Sequence, residues 1–489
     1  MNHSRNKAAV AQEARRISTG DAGLDRVLNG GLFRGAVTIL QGTPGAGKTT
    51  LANQIAFENS RRGGSTVYIT LLAESHGRLT ASMGNMEFFD DAEVGQSIHY
   101  VSGYNILVDE GTQGLLRLIG AEARTRQANL VVLDGLFVLG DACTTESQYR
   151  KFVNDLALQA ELMGSTVLLL TNSERSASSP EYTMVDGWLE LGRYTTDSRS
   201  ARFIQVHKLR GSGFVSGRHK LRISLKGIEA LPRVESYLGH TPRIPEGDAR
   251  VPSGVAGLDR MFHGGIPVHS TTLLWGASGT GKTTFGFQFL AACTREEPGL
   301  LFGFYETPGE ILGNARLRGI DLETLVNEGI VHIIWHPPTE HDLDELGHVL
   351  LDHVHAHGTR RLFLDGIDAF ERVAQEPERL QRYLTALTYE LRNAGCTALY
   401  TAEVPELYGE QPFVLAGNRS AIGQNIVLLR YAQEREAMRR TMALVKVRES
   451  DFDHRAHEFR ITSSGIEVLE PADPRSPPVA VPPIDVTGA

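Results

Sequence analysis

Two stretches of this chain carry residues able to hold a nucleoside triphosphate. Gly42-Thr43-Pro44-Gly45-Ala46-Gly47-Lys48-Thr49 and Gly276-Ala277-Ser278-Gly279-Thr280-Gly281-Lys282-Thr283 both fit G-x-x-x-x-G-K-[ST], and a further hydroxyl, Thr50 or Thr284, follows each. The glycines let the backbone fold its N–H groups around phosphate oxygens, the lysine reaches the outer phosphates, and the hydroxyl ligates Mg²⁺. ATP and Mg²⁺ are therefore the expected ligands, at two sites. Such a site needs a second anchor for the ion, usually an aspartate ending an apolar strand. Leu130-Val131-Val132-Leu133-Asp134 and Arg361-Leu362-Phe363-Leu364-Asp365 supply one after each loop. The expected metal-side pairs are Thr49 with Asp134 and Thr283 with Asp365.

Hydrolysis also needs a group to position and deprotonate water. The next apolar runs end in Leu72-Ala73-Glu74-Ser75 and Phe304-Tyr305-Glu306-Thr307. Glu74 and Glu306 are the candidate general bases, a role typically worth ~10²–10⁴-fold. The plainer alternative is a glutamate in the first turn of the following helix, where the macrodipole favours it. Late in each half come Lys208-Leu209-Arg210-Gly211-Ser212 and Lys446-Val447-Arg448-Glu449-Ser450. Alternate strand residues share a face, so each Lys/Arg pair points one way. On an edge strand far from its own loop, such a pair could complete a neighbouring subunit's nucleotide site. An arginine acting in trans can be worth ~10³–10⁵ in rate.

The elements that must position these groups are themselves repeated. Each loop follows a strand-like run, Val37-Thr38-Ile39-Leu40 or Thr272-Leu273-Leu274-Trp275, and opens a helical segment. Upstream stand Ser18-Thr19-Gly20-Asp21-Ala22-Gly23-Leu24-Asp25-Arg26 and Pro252-Ser253-Gly254-Val255-Ala256-Gly257-Leu258-Asp259-Arg260. Gly20 to Gly254, Gly31 to Gly265 and Lys48 to Lys282 share one offset of 234 residues. That period is far beyond the ~20–50 residues of solenoid repeats, so it means two whole domains in tandem. Continuous apolar runs ending at Asp134 and Asp365 imply strands buried on both faces. The expected fold is α/β, with a mainly parallel sheet flanked by helices in each domain.

A chain of 489 residues accommodates this. The organisation expected is an extension at 1–16, a first domain at 17–235, a linker at 236–250, a second domain at 251–470 and a Pro-rich tail at 471–489. The region Leu231 to Arg250 carries three prolines and two glycines, and the tail from Pro471 carries six prolines with few bulky apolar residues. Residues 1–16 lack the apolar core of a signal peptide, and no run of 18 apolar residues is present, which argues for a cytoplasmic protein with no membrane partner. Three widely spaced cysteines, Cys143, Cys293 and Cys396, give neither a metal cluster nor a disulfide framework. A net charge of −9 argues against a dedicated nucleic-acid binder.

Together the double loop, the S-T-G-x-x-G-L-D opening, the strand-end glutamate and the late K-x-R resemble the KaiC family, the two-domain RecA-like ATPases of the bacterial circadian clock. The resemblance runs from residue 17 to about 470. It implies two tandem RecA-like domains assembled into a hexameric ring with ATP between subunits. It also implies ATP hydrolysis by the first domain and autophosphorylation of adjacent Ser and Thr residues by the second. By the resemblance, Lys208, Arg210 and Ser212, with Lys446, Arg448 and Ser450, would touch the neighbour's nucleotide. The chain departs from the family at identifiable points. Where the family has two adjacent strand-end glutamates, this chain has Ala73-Glu74 and Tyr305-Glu306. Where it has the phosphorylated pair, this chain reads Ser420-Ala421, leaving Ser420 as the one candidate phosphoacceptor. Phe214 and Phe452 replace a family histidine, and the tail differs. Two other readings stay open: an ATP-stabilised regulatory scaffold with little turnover, and a RecA/RadA-like DNA-dependent ATPase. The best basic candidates for the latter are Arg124-Thr125-Arg126 and Arg439-Arg440.

Overall fold

The computed structural model describes residues 16–72, 76–143, 145–172, 181–196, 199–237, 249–337, 342–374, 376–404, 422–434, 437–448 and 450–469. The chain divides into two compact units between Arg233 and Val234.

In the first unit nine strands form one sheet: β1 (Val37–Gly42), β2 (Thr66–Thr70), β3 (Ile98–Ser102), β4 (Leu130–Asp134), β5 (Thr166–Thr171), β6 (Gly187–Thr196), β7 (Arg199–Leu209), β8 (Arg218–Ser224) and β9 (Gly227–Leu231). Their spatial order is β9-β8-β7-β6-β1-β5-β4-β2-β3. The six from β6 to β3 pair in parallel, and β7, β8 and β9 add antiparallel hairpins. The second unit repeats the plan with β10 (Thr271–Gly276), β11 (Gly299–Gly303), β12 (Val331–Trp335), β13 (Arg361–Asp365), β14 (Thr397–Glu403), β15 (Asn425–Glu434), β16 (Ala437–Val447), β17 (His457–Thr462) and β18 (Gly465–Val468). Its order, β18-β17-β16-β15-β10-β14-β13-β11-β12, is the same topology. Each unit is a mostly parallel α/β sheet, and the two are tandem RecA-like domains.

The continuous apolar strands are buried on both faces, as their composition implies. Leu130 and Val132 of β4 join one core cluster while Val131 and Leu133 join the other. In β13, Leu362 and Leu364 face one cluster and Phe363 the opposite one. Burying each such side chain fully stabilises the fold by ~1.5–3 kcal/mol, so the central strands form a rigid platform. Loops at their carboxyl ends inherit that rigidity.

A small ribbon precedes each sheet: Arg16–Ile17 pairs with Leu32–Phe33, and Arg250–Val251 with Ile266–Pro267. Among the described residues no helix is long and apolar enough to cross a membrane.

Candidate functional site

Both loops sit where a central parallel strand gives way to a helix. β1 ends at Gly42 and the helix Lys48–Arg61 begins six residues on; β10 ends at Gly276 and the helix Lys282–Ala291 follows in the same way. Gly47 and Gly281 cap those helices at φ +108° and +105°, a region that only glycine enters without strain. A Cβ on Gly42 or Gly276 would lie 2.4 or 2.6 Å from the carbonyl oxygen of Leu191 or Leu429 on the neighbouring strand. The loops therefore need glycine for close approach as well as for turning. Thr43, Pro44, Gly45, Ser278 and Gly279 are exposed at the tips, while Ala46, Ala277 and Thr280 are buried beneath them. Thr280 Oγ1 donates to Ala277 O at 2.8 Å, tying the second loop across its own turn. Thr50 is partly buried in the first turn of its helix, and Thr284 is buried in the matching place.

Each lysine folds back over its loop. Lys48 Nζ donates to Gly42 O at 2.7 Å and Thr43 O at 3.2 Å, and Lys282 Nζ to Gly276 O at 2.8 Å and Ala277 O at 3.0 Å. Burial lowers the pKa of both ammonium groups. Nearby carboxylates oppose this: Asp134 for Lys48, and Glu403, Asp365 and Asp368 for Lys282.

The hydroxyl–aspartate pairs form in both halves at one distance. Thr49 Oγ1 donates to Asp134 Oδ2 and Thr283 Oγ1 to Asp365 Oδ2, each at 3.1 Å. Neither aspartate caps a helix: Gly135 is the cap residue after Asp134, and the helix after Asp365 spans Asp368–Val373. Their other partners differ. Tyr68 OH donates to Asp134 Oδ2 at 2.8 Å, whereas Thr401 Oγ1 donates to Asp365 Oδ1 at 2.6 Å and in turn accepts Gly366 N–H at 2.7 Å. Burial and the Asp134 carboxylate push the Tyr68 hydroxyl far above its ordinary pKa, which keeps it a donor. Burial also raises the Asp365 carboxyl, against the pull of its two hydroxyl donors. Among the described residues no group of three or more His, Cys, Asp or Glu side chains is set to hold a metal by itself. One hydroxyl and one carboxylate at the foot of a phosphate loop suit Mg²⁺, which keeps waters and shares phosphate oxygens rather than occupying an all-protein cage.

In the second half a cavity of about 720 Å³ opens over the loop, lined among others by Lys282, Thr283, Asp365, Tyr305, Glu306 and Glu403. Glu306 stands before the helix Pro308–Arg316, whose cap is Thr307 in a capping box with Glu310. It is therefore not a first-turn glutamate. Asn314 Nδ2 donates to Glu306 Oε2 at 3.3 Å. Tyr305, where the family has its first glutamate, is half exposed under the Arg372 guanidinium, 5.4 Å from its ring centre. Glu74 and Ala73 of the first half, and Ser420 and Ala421 of the second, lie outside the described residues.

Sequence reasoning did not find Tyr68, Thr401, Asp368, Glu403, Arg318 or Arg372, and it named Arg440 only as a basic candidate for DNA, whereas Arg440 lines the cavity over the second loop. The signal for Glu403 was present, since it ends the apolar strand beside the loop strand, level with Gly276. Arg440 Nε reaches Gly279 O at 3.4 Å beside Tyr431 OH, which donates to the same oxygen at 2.7 Å.

The late Lys/Arg pairs lie away from their own loops. Arg210 N donates to Asp186 O and Asp186 N to Val37 O, which sets Arg210 level with the first residue of β1. Arg448 N, through Gln424, is level with Thr271, the first residue of β10. The loops start at the last residues of those strands, five positions and about 16 Å further on at ~3.3 Å per residue. The trans role supposes an edge strand; Lys208 and Lys446 are in β7 and β16, and Arg210 and Arg448 directly follow those strands. β7 is third from the sheet edge, yet its pairing with β8 stops at Gln205, so Lys208 lies on an outer side left open by β8; β16 and β17 repeat this, stopping at Met442. Lys208 Nζ donates to Tyr182 O and Thr183 O and Arg210 NH2 to Thr183 O, so the two share a face. Lys446 Nζ donates to Gly423 O at 2.8 Å. Ser212 accepts from Arg16, and Ser450 from Arg250.

Comparison with known proteins points to one family. The family model described as "ATPase: KaiC" matches residues 17–235 and again 251–473. The chain belongs to the KaiC ATPase family. It is 26% identical to the circadian clock protein KaiC3 of Synechocystis over 93% of this chain and 92% of that protein. It is 25% identical to the circadian clock oscillator protein KaiC of Thermostichus vulcanus over 94% and 90%. Against the KaiC of Rippkaea orientalis the identity is 24% over 95% and 90%. It is a KaiC-like, ATP-binding protein of the P-loop ATPase class.

Proposed function

We propose that this KaiC-like chain hydrolyses Mg²⁺-ATP at both loops, from within a cytoplasmic ring whose nucleotides lie between subunits. The observation that carries the ATPase reading is the hydroxyl–aspartate contact beneath a lysine-bearing loop, built twice at 3.1 Å. Thr49 with Asp134, and Thr283 with Asp365, would hold Mg²⁺, which when bound offsets charge on the phosphate oxygens. The loop N–H groups and Lys48 or Lys282 orient the triphosphate, while Glu306, and Glu74 in the first half, hold the attacking water and accept its proton.

The interface reading is supported by where Arg210 and Arg448 lie. Each is at the end of its sheet opposite its own loop, so a head-to-tail contact would bring one subunit's pair to the next subunit's phosphate. Heterologous contacts of that kind give rings when the rotation closes, and the family resemblance implies a closed ring of six subunits. Phosphate release from mixed Arg210→Ala and Lys48→Ala chains tests the reading. With Lys282→Ala in every chain to silence the second loop, each variant alone should be slow, and the co-assembled mixture should regain activity. ATP binding and assembly without phosphate release would instead favour a scaffold. Autophosphorylation is a further part of the proposal, with Ser420 as the acceptor, to be read by mass spectrometry after incubation with labelled ATP and lost in Ser420→Ala.

A further inference from the structure

Both halves build the same arginine clamp, and nothing in the loop chemistry requires it. Arg16 and Arg250 occupy equivalent positions, 234 residues apart. Arg16 NH1 donates to Leu28 O at 3.0 Å and Gly31 O at 2.8 Å, while NH2 donates to Ser212 Oγ at 2.7 Å. Arg250 NH1 donates to Phe262 O at 2.8 Å and Gly265 O at 3.1 Å, and NH2 to Ser450 Oγ. Each guanidinium thus joins the opening turn of its unit to the serine two residues after the exposed late arginine.

We propose that Arg16 and Arg250 are positioning residues that hold the K-x-R-x-S turn in the pose from which it completes a neighbouring subunit's nucleotide site. This rests on the interface reading above. The argument is clearest in the first half. Arg210 is pinned on one side by its own N–H, which donates to Asp186 O at 2.8 Å. On the other side Ser212 Oγ is held by Arg16, and between them Gly211 turns at φ +79°. The Phe33 ring fills the remaining space, with the Arg16 guanidinium 3.7 Å from its centre and a ring carbon 3.6 Å from where a Cβ on Gly211 would sit. Three residues after Ser212, Val215 N donates to Val27 O at 2.9 Å. The backbone on both sides of Arg210 is therefore fixed to buried parts of the unit.

The Arg210 side chain itself is not fixed in that way. It is 57% exposed, resting on Thr183 O at 3.0 Å and 3.6 Å from Asp186. Exposed ion pairs are weakly held in water, so little holds the guanidinium back from a partner's phosphate. A pinned backbone carrying a loosely held guanidinium suits a group that must be presented accurately to a second molecule. A misplacement of ~1 Å at such a group can cost about 10²-fold in rate.

The test uses full-length chains that all carry Lys282→Ala, so that only the first site turns over. Arg16→Ala should keep its bound nucleotide yet lose about 10- to 100-fold in phosphate release. Arg16→Lys, which can still reach Ser212 but not all three acceptors, should fall between. Co-assembly of Arg16→Ala with Lys48→Ala should restore release, because the second chain supplies a well-held turn to the first chain's intact loop. If Arg16→Ala does not fold, Ser212→Ala removes the oxygen that accepts from Arg16 and Asn29 and donates to Gly213 O, and carries the same mixing test. Wild-type release by Arg16→Ala or Ser212→Ala overturns the proposal. So does failure of rescue when a parallel Arg210→Ala and Lys48→Ala mixture is rescued, since the clamp would then act within its own subunit. Failure of both mixtures overturns the interface reading along with this one.

Discussion

Beneath the first loop, Tyr68 donates to the metal-side aspartate, Asn53 Nδ2 donates to Thr49 O at 2.8 Å, and Tyr100 OH donates to Asn53 Oδ1 at 2.7 Å. Beneath the second loop the equivalent positions are Leu301, Phe287 and Ile333, found from the 234-residue offset and from strand register against Asp134 and Asp365. Three polar residues have become three apolar ones, and the second donor to the aspartate arrives from β14 as Thr401. Its counterpart on β5 is Leu170, since Leu40 pairs with Leu170 and Leu274 with Thr401. The shared demand is physical: a carboxylate in this position needs two donors, and the duplicated fold meets it from opposite neighbouring strands. Asn53 and Tyr100 bond to each other, and a buried polar group left without its partner costs ~1–3 kcal/mol, which fits both being apolar in the second half.

The largest effect expected in this comparison concerns the glutamates. Glu74→Gln and Glu306→Gln, each read in a chain whose other loop lysine is alanine, should lower phosphate release by ~10²–10⁴. If only one does, the halves have divided their labour. Next, Lys48→Ala and Lys282→Ala should each remove one class of bound nucleotide, counted per chain after gel filtration. Full stoichiometry in either variant would break the two-site reading. Tyr68→Phe should raise the Mg²⁺ needed for nucleotide binding at the first site by about 10-fold, as expected for losing a hydrogen bond to a charged group. Thr401→Val should do the same at the second site alone, and a Mg²⁺ titration of each variant would expose any crossover. The smallest effect sharpens the comparison furthest: adding Leu170→Thr to Tyr68→Phe should recover a few-fold of that loss by rebuilding the second half's arrangement in the first.

The loops were legible because their chemistry fixes residue spacing within eight positions, and the aspartates because each ends an apolar run. The parallel sheets were legible because strands such as Leu130–Leu133 are apolar at every position. Tyr68 and Thr401 were not, because both reach the aspartate sideways from strands adjacent in space and distant in sequence. The same holds for Arg16, whose partner Ser212 lies 196 residues away. The open outer side of β7 was half legible. Alternation gave the shared face of Lys208 and Arg210, but no local pattern shows that β8 and β9 follow and stop short. Glu306 was expected at a strand end, yet β11 stops at Gly303, three residues earlier; Glu306 lines the cavity from the short link before the Thr307 cap.

The boundary between the units has a consequence for a nicked chain. Val234–Tyr237 forms a short helical turn of the second unit, directly after Arg233 of the first. Val234 is fully buried and its N–H donates to Asp344. Arg379 grips Glu235 through two hydrogen bonds, at 2.6 and 2.7 Å, and Asp344 at 2.6 Å. A protease site engineered between residues 238 and 248 would therefore leave the first fragment ending in its own docking peptide. The fragments should stay together on a sizing column as a non-covalent pair, held by the buried valine and the arginine grip. Arg379→Ala, which removes the guanidinium shared by Glu235 and Asp344, should let them separate.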